Sequence, residues 1–234
     1  MVAIRFQCPR QLYGIIPEPT IAANSLPGWL REMPASALNS EPSEEVPTAK
    51  RCPPFVDLLL TGFYFLLSAD IVFDGAEFKW DAPELINELA PYPNGPMGYH
   101  LAPQLSGVPI VEGASRVIKF HNFWSVELEA GWSLLFLHPP HQNRLPFQTI
   151  SAVVDADRYK GTFIQIPAVW YSAQACTLKR GTPIAHCIPI KREKLAAISE
   201  PMSDKEQVRF DDNIQKILQT PGIYRRQFRA DREF

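Results

Sequence analysis

The sequence predicts a mainly β fold: a distorted β-barrel or jelly roll with short N-terminal helices and a C-terminal helix. Three observations predict it. From Arg116 onward, apolar runs of about six residues recur at near-regular spacing. Asp74-Gly75 stands between two apolar runs as a two-residue hairpin signal. Prolines number 23 among 234 residues against 12 glycines, which favours short strands and stiff corners over long helices.

The elements follow in order. Residues 1–24 read as an extended arm, with Val2, Ile4 and Phe6 alternating against Ala3, Arg5 and Gln7 as in a half-buried strand. Leu12 to Ile16 reads as a second short strand, ended by Pro17 and Pro19. Ser25 is placed to cap a short helix, with Pro27 in its first turn and Pro34 as its stop. Residues 35–50 are small, polar and broken by proline, which predicts a surface loop. Cys52 to Gly62 predicts a two-turn buried helix, opened by Pro53 and Pro54 and closed by the glycine. Phe63 to Phe73 reads as one buried strand, with Glu77 to Trp80 as its return. Asp81 caps a short helix carrying Pro83 in its first turn. Residues 90–114, rich in proline and glycine, predict a long loop. Strands are expected at 117–120, 124–128, 132–137, 149–154, 162–166 and 184–190. Ser203 and Glu206 form a capping box for a helix over 203–219, striped by Val208, Ile214, Ile217 and Leu218. The domain organisation expected is an arm at 1–62, a β-barrel domain at 63–195 and a helical extension at 196–234, in one unit.

Composition bounds the function. Hydrophobic residues make up 46% and charged residues 21%, so the chain can bury a core without disulfides or a structural metal. A net charge of −2 gives no bulk attraction to nucleic acid or to an anionic membrane. The start lacks a signal peptide, and the longest apolar run, Phe63 to Ala69, is too short to span a bilayer. A cytoplasmic protein is expected. Cys8, Cys52, Cys176 and Cys187 show no Cys-x-x-Cys spacing, which argues for reduced thiols and against a zinc ribbon.

The stretch from Gly131 to Glu193 is the most informative. It holds Gly131-Trp132-Ser133-Leu134-Leu135-Phe136-Leu137-His138, then Val153-Val154-Asp155-Ala156-Asp157-Arg158-Tyr159-Lys160-Gly161, then Gly181-Thr182-Pro183-Ile184-Ala185-His186. This order resembles the dUTPase and dCTP-deaminase superfamily. Members carry a strand ending in Val-Ile-Asp, an Asp-Tyr-Arg-Gly-like turn, and a later Gly-Asp/Glu-Arg-Ile-Ala-Gln segment. The resemblance covers the middle third of the chain. It implies the barrel, a general base at Asp155 and the trimers usual there. The departures are an added residue before Tyr159, His186 in place of Gln, and no Pro-Arg-Ser-Gly or C-terminal Gly-rich phosphate motif. Without those donors a triphosphate has no cradle. Over most of its length the chain also resembles a bacterial and phage domain family of unknown function. That likeness rests on Leu26-Pro27-Gly28-Trp29, Cys52-Pro53-Pro54-Phe55, Val153 to Asp157, and Gly181 to Glu193. It implies no activity.

Several residues carry candidate chemistry. Asp155 and Asp157, two apart, share a face on a continuing strand and suit general-base work with Tyr159 beside them; Asp-x-Asp before Tyr-Lys-Gly is also good turn chemistry. His138 and His141 flank a rigid Pro-Pro corner and offer two ligands to a divalent metal. The third would be His186, His100, His121 or a carboxylate; otherwise the corner is simply solvated. His100, four residues before Gln104 in the long loop, offers a proton donor or a ligand. Cys52, before a proline, can present a thiolate to haem iron, or be a small buried hydrophobe. Phe120, Phe123, Trp124, Trp132, Phe136 and Trp170 line a pocket or build the core. Arg225, Arg226, Arg229 and Arg232 form a solvated face or a grip on an acidic partner.

Three functions follow. The first is an enzyme acting on a small-molecule substrate in the barrel mouth, by hydrolytic or metal-assisted chemistry. The second is a non-catalytic binding or assembly protein on a nucleotide-barrel scaffold. The third is a haem- or iron-dependent tailoring enzyme. A homo-oligomer is compatible with each, and no nucleic-acid or membrane partner is expected.

Overall fold

Strands dominate, in several antiparallel sheets with few helices. The computed structural model describes residues 2–41, 43–86, 90–142 and 144–232. In chain order the first elements are β1 (Arg5–Gln7), β2 (Thr20–Ile21), α1 (Gly28–Glu32), β3 (Ser36–Ser40), β4 (Ser43–Pro47) and α2 (Pro53–Leu60). Next come β5 (Phe63–Leu66), β6 (Ile71–Phe73), β7 (Phe78–Lys79), β8 (Met97–Tyr99), β9 (Arg116–Phe120) and β10 (Ser125–Glu127). The last are β11 (Trp132–Leu137), β12 (Phe147–Thr149), β13 (Ala152–Val154), β14 (Ile166–Trp170), β15 (Cys176–Leu178), β16 (Pro183–Lys191) and α3 (Asp204–Gln219). Internal packing divides the chain into two units, Met1–Ser25 with Thr61–Arg192, and Leu26–Leu60 with Glu193–Phe234.

In the first unit a five-stranded sheet runs β13-β11-β16-β5-β2 and a four-stranded sheet runs β12-β14-β9-β8. Alternation along each strand decides which side chains turn inward. Phe63 and Phe65 on β5, Leu134 and Phe136 on β11, and Ala185 and Cys187 on β16 enter one buried apolar cluster. Ile118, Phe120, Ile166, Ala168 and Trp170 of the four-stranded sheet enter the same cluster. Burying a Leu or Phe side chain is worth about 1.5–3 kcal/mol, so these two faces supply most of the cohesion. A three-stranded sheet, β15-β6-β7, is tied in by Phe73 and Phe78, whose rings lie 5.5 and 4.9 Å from that of Trp170. The aromatic candidates are therefore core: Phe120, Phe123, Trp124, Phe136 and Trp170 are buried, and Trp132 packs against them. Among the described residues no sheet closes into a barrel, and the largest keeps β13 and β2 as edges.

One glycine is dictated by close approach. Gly62 has φ +79°, and a Cβ there would lie 2.1 Å from the Cys187 carbonyl oxygen. The chain leaving α2 can join β5 beside β16 only without a side chain at that point.

Several elements differ from the sequence reading. Leu12 to Ile16 is not a strand: a 3-10 turn over Arg10–Leu12 closes with Leu12 N–H on Pro9 O, and Ile16 N–H reaches back to Leu12 O. Residues 35–50 are not a loop but the hairpin β3–β4, in register from Ser36↔Pro47 to Ser40↔Ser43. Its side chains are mostly exposed, so no apolar alternation marks it in the sequence. The run from Phe63 to Phe73 breaks into β5 and β6, and 149–154 into the end of β12 and β13; in both cases the halves enter different sheets. The strand placed at 162–166 begins only at Ile166. Ser25 does not cap α1, whose N-cap is Pro27. The helix at Asp81 is a 3-10 turn over Pro83–Leu85, and its continuation at 87–89 lies outside the described residues.

The second unit holds α1, the β3–β4 hairpin, α2 and α3. Trp29 and Phe55 meet edge to face, ring centroids 6.1 Å apart, and join α1 to α2. Lys50 Nζ donates to the carbonyls of Arg31 and Met33 at 2.8 and 3.0 Å, fixing the chain before α2. Asp57, buried on α2, accepts Arg229 Nη2 at 2.7 Å and Nε at 3.0 Å. The capping box of α3 forms, with Ser203 N–H donating to Glu206 at 2.8 Å. No residue of α3 is buried, so its apolar stripe faces solvent. Among the described residues no helix is long and apolar enough to cross a membrane.

Candidate functional site

Three strand ends meet at one polar cluster. Pairing of β11 with β13 sets Leu134 opposite Val154, and pairing of β11 with β16 sets Trp132 opposite Lys191. Asp155 leaves β13 one residue later and Arg192 leaves β16 one residue later, so both arrive beside Ser133. Asp155 Oδ1 accepts Ser133 Oγ–H at 2.6 Å and Arg192 Nη1 at 3.2 Å. Asp157 accepts Arg192 Nη1 at 2.8 Å through Oδ1; its Oδ2 takes Arg192 Nη2 and, at 2.8 Å, the Gly131 N–H. The Arg192 backbone N–H closes the set on Gly131 O at 2.8 Å. Between the two aspartates the chain turns tightly, with Arg158 and Tyr159 N–H both on Asp155 O.

The electrostatics follow from burial and pairing. The Asp157 side chain is 6% exposed, and the Arg192 guanidinium holds its carboxyl well below the usual carboxylate range. A carboxylate gripped bidentately by a guanidinium is held in its charged form. Asp157 is a structural acceptor that pins the β11 hairpin to the β13 turn. Asp155 is half exposed and spends Oδ1 on Ser133 and Arg192. Tyr159, nearby, points a half-exposed side chain outward and enters the turn through its backbone.

The histidines do not join this cluster. His138 follows β11; its Nδ1 accepts the Thr149 N–H at 3.1 Å, and its ring meets Phe147 edge-on at 5.6 Å. Burial pushes it below the usual histidine range, so it is neutral. Three residues on, His141 is exposed with φ 54°. His186 lies within β16, opposite Leu137. Its Nε2 meets Thr61 O at 2.6 Å, which makes Nε2 the protonated nitrogen. Burial lowers its pKa as well, and Nδ1 is buried without a partner among the described residues. The ring stacks on Tyr64 at 4.8 Å, and burial pushes that phenol up to about 12. His138 packs on Phe147 of the inner core, whereas His186 takes the opposite face from its core neighbours Ala185 and Cys187. His100 follows β8 and gives its backbone N–H to Val117 O at 3.1 Å. Among the described residues no three His, Cys, Asp or Glu side chains gather at metal-holding distance.

Cys52 belongs to the second unit, exposed, with its carbonyl accepting Val56 N–H as the first bond of α2. The sequence reading missed Arg192 and Asp57. Arg192 lies 35 residues from Asp157, and only strand register brings them together. A buried aspartate inside an apolar helix is a signal that could have flagged Asp57.

Surface grooves among the described residues are lined by other side chains. One of about 400 Å³ lies along Glu200, Met202, Glu206, Arg209 and Phe210, and one of about 180 Å³ beside α2. Others, of about 530 and 340 Å³, flank β1, beside Glu127 and Lys160 and beside Cys8 and Trp124 respectively. The chain matches no family model and no curated protein.

Proposed function

We propose that the protein is a non-catalytic assembly module that pairs with a second copy of itself through its C-terminal arm. One observation carries this reading: residues 193–219 expose several large apolar side chains and bury none of them. Leu195 and Ile198 are 96% and 85% exposed, and Phe210, Ile214, Ile217 and Leu218 of α3 are 40–74% exposed. Phe210, Ile214 and Ile217 recur at spacings of four and three, the seam of a helix that packs on another helix. The groove formed by Glu200, Met202, Glu206 and Phe210 suits an apolar side chain from such a partner.

Charge chooses the partner and its direction. From its start to Asp212, α3 carries Asp204, Glu206, Asp211 and Asp212, against Lys205 and Arg209. The far end carries Lys216, and beyond it Arg225 and Arg226. An antiparallel pair sets the acidic end of one copy against the basic end of the other; a parallel pair stacks like charges. A 16-residue helix is about 24 Å long, enough for two heptads of contact.

The same reading covers the remaining features. Asp155, Asp157 and Arg192 serve as a strand-end clasp rather than as a reacting set, and His138 and His186 as neutral packing groups. The β unit is a two-sheet sandwich of jelly-roll type, a nucleotide-barrel scaffold kept without its phosphate motifs. The four free thiols suit a reducing cytoplasm.

Sedimentation equilibrium of the full chain tests this. A monomer–dimer equilibrium is expected, with a dissociation constant on the order of 10 µM. Ile214→Glu with Ile217→Glu is expected to give a monomer whose circular dichroism stays native. A wild-type chain that remains monomeric to several hundred micromolar, or a double variant that dimerises unchanged, overturns it.

A further inference from the structure

The second unit contains a cationic pocket, of whose cations the proposed pairing draws only on Arg225. Its volume is about 180 Å³, room for roughly six waters. Lys50, Arg51, Arg225 and Arg229 line it, with Asp57 as the one carboxylate. Pro53 and Val56 supply its apolar wall.

The carboxylate is already satisfied. Arg229 grips both oxygens of Asp57, and Arg232 Nε lies 3.6 Å from Oδ2. That ion pair fixes the tail against α2. Lys50 gives two of its three N–H donors to the carbonyls of Arg31 and Met33, so its ammonium is held in place with one donor left. Arg51 and Arg225 make no side-chain hydrogen bond or ion pair among the described residues. Two unengaged guanidiniums and an anchored ammonium around a small concavity are matched by a compact dianion. A guanidinium fork fits two oxygens of a tetrahedral phosphate, and three positive charges exceed what one carboxylate needs.

We propose that this pocket, formed by Lys50, Arg51 and Arg225 beside the Arg229–Asp57 pair, binds a phosphate dianion. The dianion comes either as free phosphate or as the head of a phosphomonoester. Isothermal titration of the full chain at low salt, with inorganic phosphate and separately with methyl phosphate, tests it. Binding of at least one is expected, and Arg51→Gln with Arg225→Gln is expected to weaken it about tenfold or more. Neither arginine holds a structural bond, so the double variant should keep the wild-type melting temperature. Arg158→Gln, exposed in the other unit, should leave binding unchanged. Tighter binding of methyl phosphate identifies the monoester as the source, and tighter binding of inorganic phosphate the free ion; either result supports the site. No heat with either ligand at 20 mM (an excess of about a thousandfold over protein at ordinary titration concentrations), equal binding of acetate, or full binding by the double variant overturns it.

Discussion

Arg192 decides what the paired aspartates can do. Asp155-Ala156-Asp157 has the spacing of a catalytic pair, yet the guanidinium and the Gly131 N–H occupy both Asp157 oxygens. Asp157 has its folded-state pKa depressed, so it contributes stability above the ordinary aspartate pKa, and that contribution is lost as pH falls through the depressed value. In Arg192→Met the buried carboxylate loses its cation and its pKa rises instead. The variant should melt well below wild type at pH 7, with the gap narrowing, though not closing, at pH 3.5; thermal melts at both pH values check this. A gap independent of pH would show that Arg192 acts through packing alone. Tyr64 gives a second test. Its hydroxyl is buried with no partner among the described residues, and its ring stacks on His186, whose Nδ1 is in the same condition. Tyr64→Phe removes an unsatisfied group and should be neutral or stabilising by up to about 1 kcal/mol in denaturant melts. A loss of more than that would reveal a bond to that hydroxyl.

At the scale of elements, legibility followed locality. The α3 capping box, the α2 helix opened by two prolines, and the Asp74-Gly75 turn are each written within a few residues, and each forms. Asp74 also accepts the N–H groups of Ala76 and Glu77 and the ammonium of Lys79, which fixes the turn from inside. The β3–β4 hairpin escaped because burial, not backbone pairing, writes the alternating pattern. The splitting of 149–154 escaped because both halves are apolar strand formers and only the sheets divide them. Gly62 is where two elements meet. Gly62→Ala forces a Cβ into Cys187 O in a left-handed backbone, and should cost roughly 3–5 kcal/mol in chemical denaturation. A cost under 1 kcal/mol would mean that β5 and β16 can part at that point.

At the scale of the whole molecule, the C-terminal arm sets the behaviour. An amphipathic helix with no buried residue draws little stability from its own chain, since tertiary packing supplies most helical stability. The pairing proposed above would provide that packing. The opposed charges along the arm would make it salt-dependent, because exposed charges are screened within about 10 Å at 0.1 M salt. Raising sodium chloride from 50 to 500 mM should weaken dimerisation several-fold by sedimentation. An association that strengthens steadily with salt would assign it to apolar contact without charge matching.

The residues alone determined the class of the molecule and some of its local devices: a strand-rich chain, a proline-opened α2, and a striped C-terminal helix with its capping box. These depend on neighbours along the chain, where spacing fixes geometry. Tertiary structure alone decided the rest. It set which apolar runs share a sheet, and it paired Asp157 with Arg192 from 35 residues away. It paired Arg229 with Asp57 across 172 residues and gathered the free cations beside them. Strand register and long-range packing bring together groups whose sequence separation carries no trace of the meeting, so no local pattern records them.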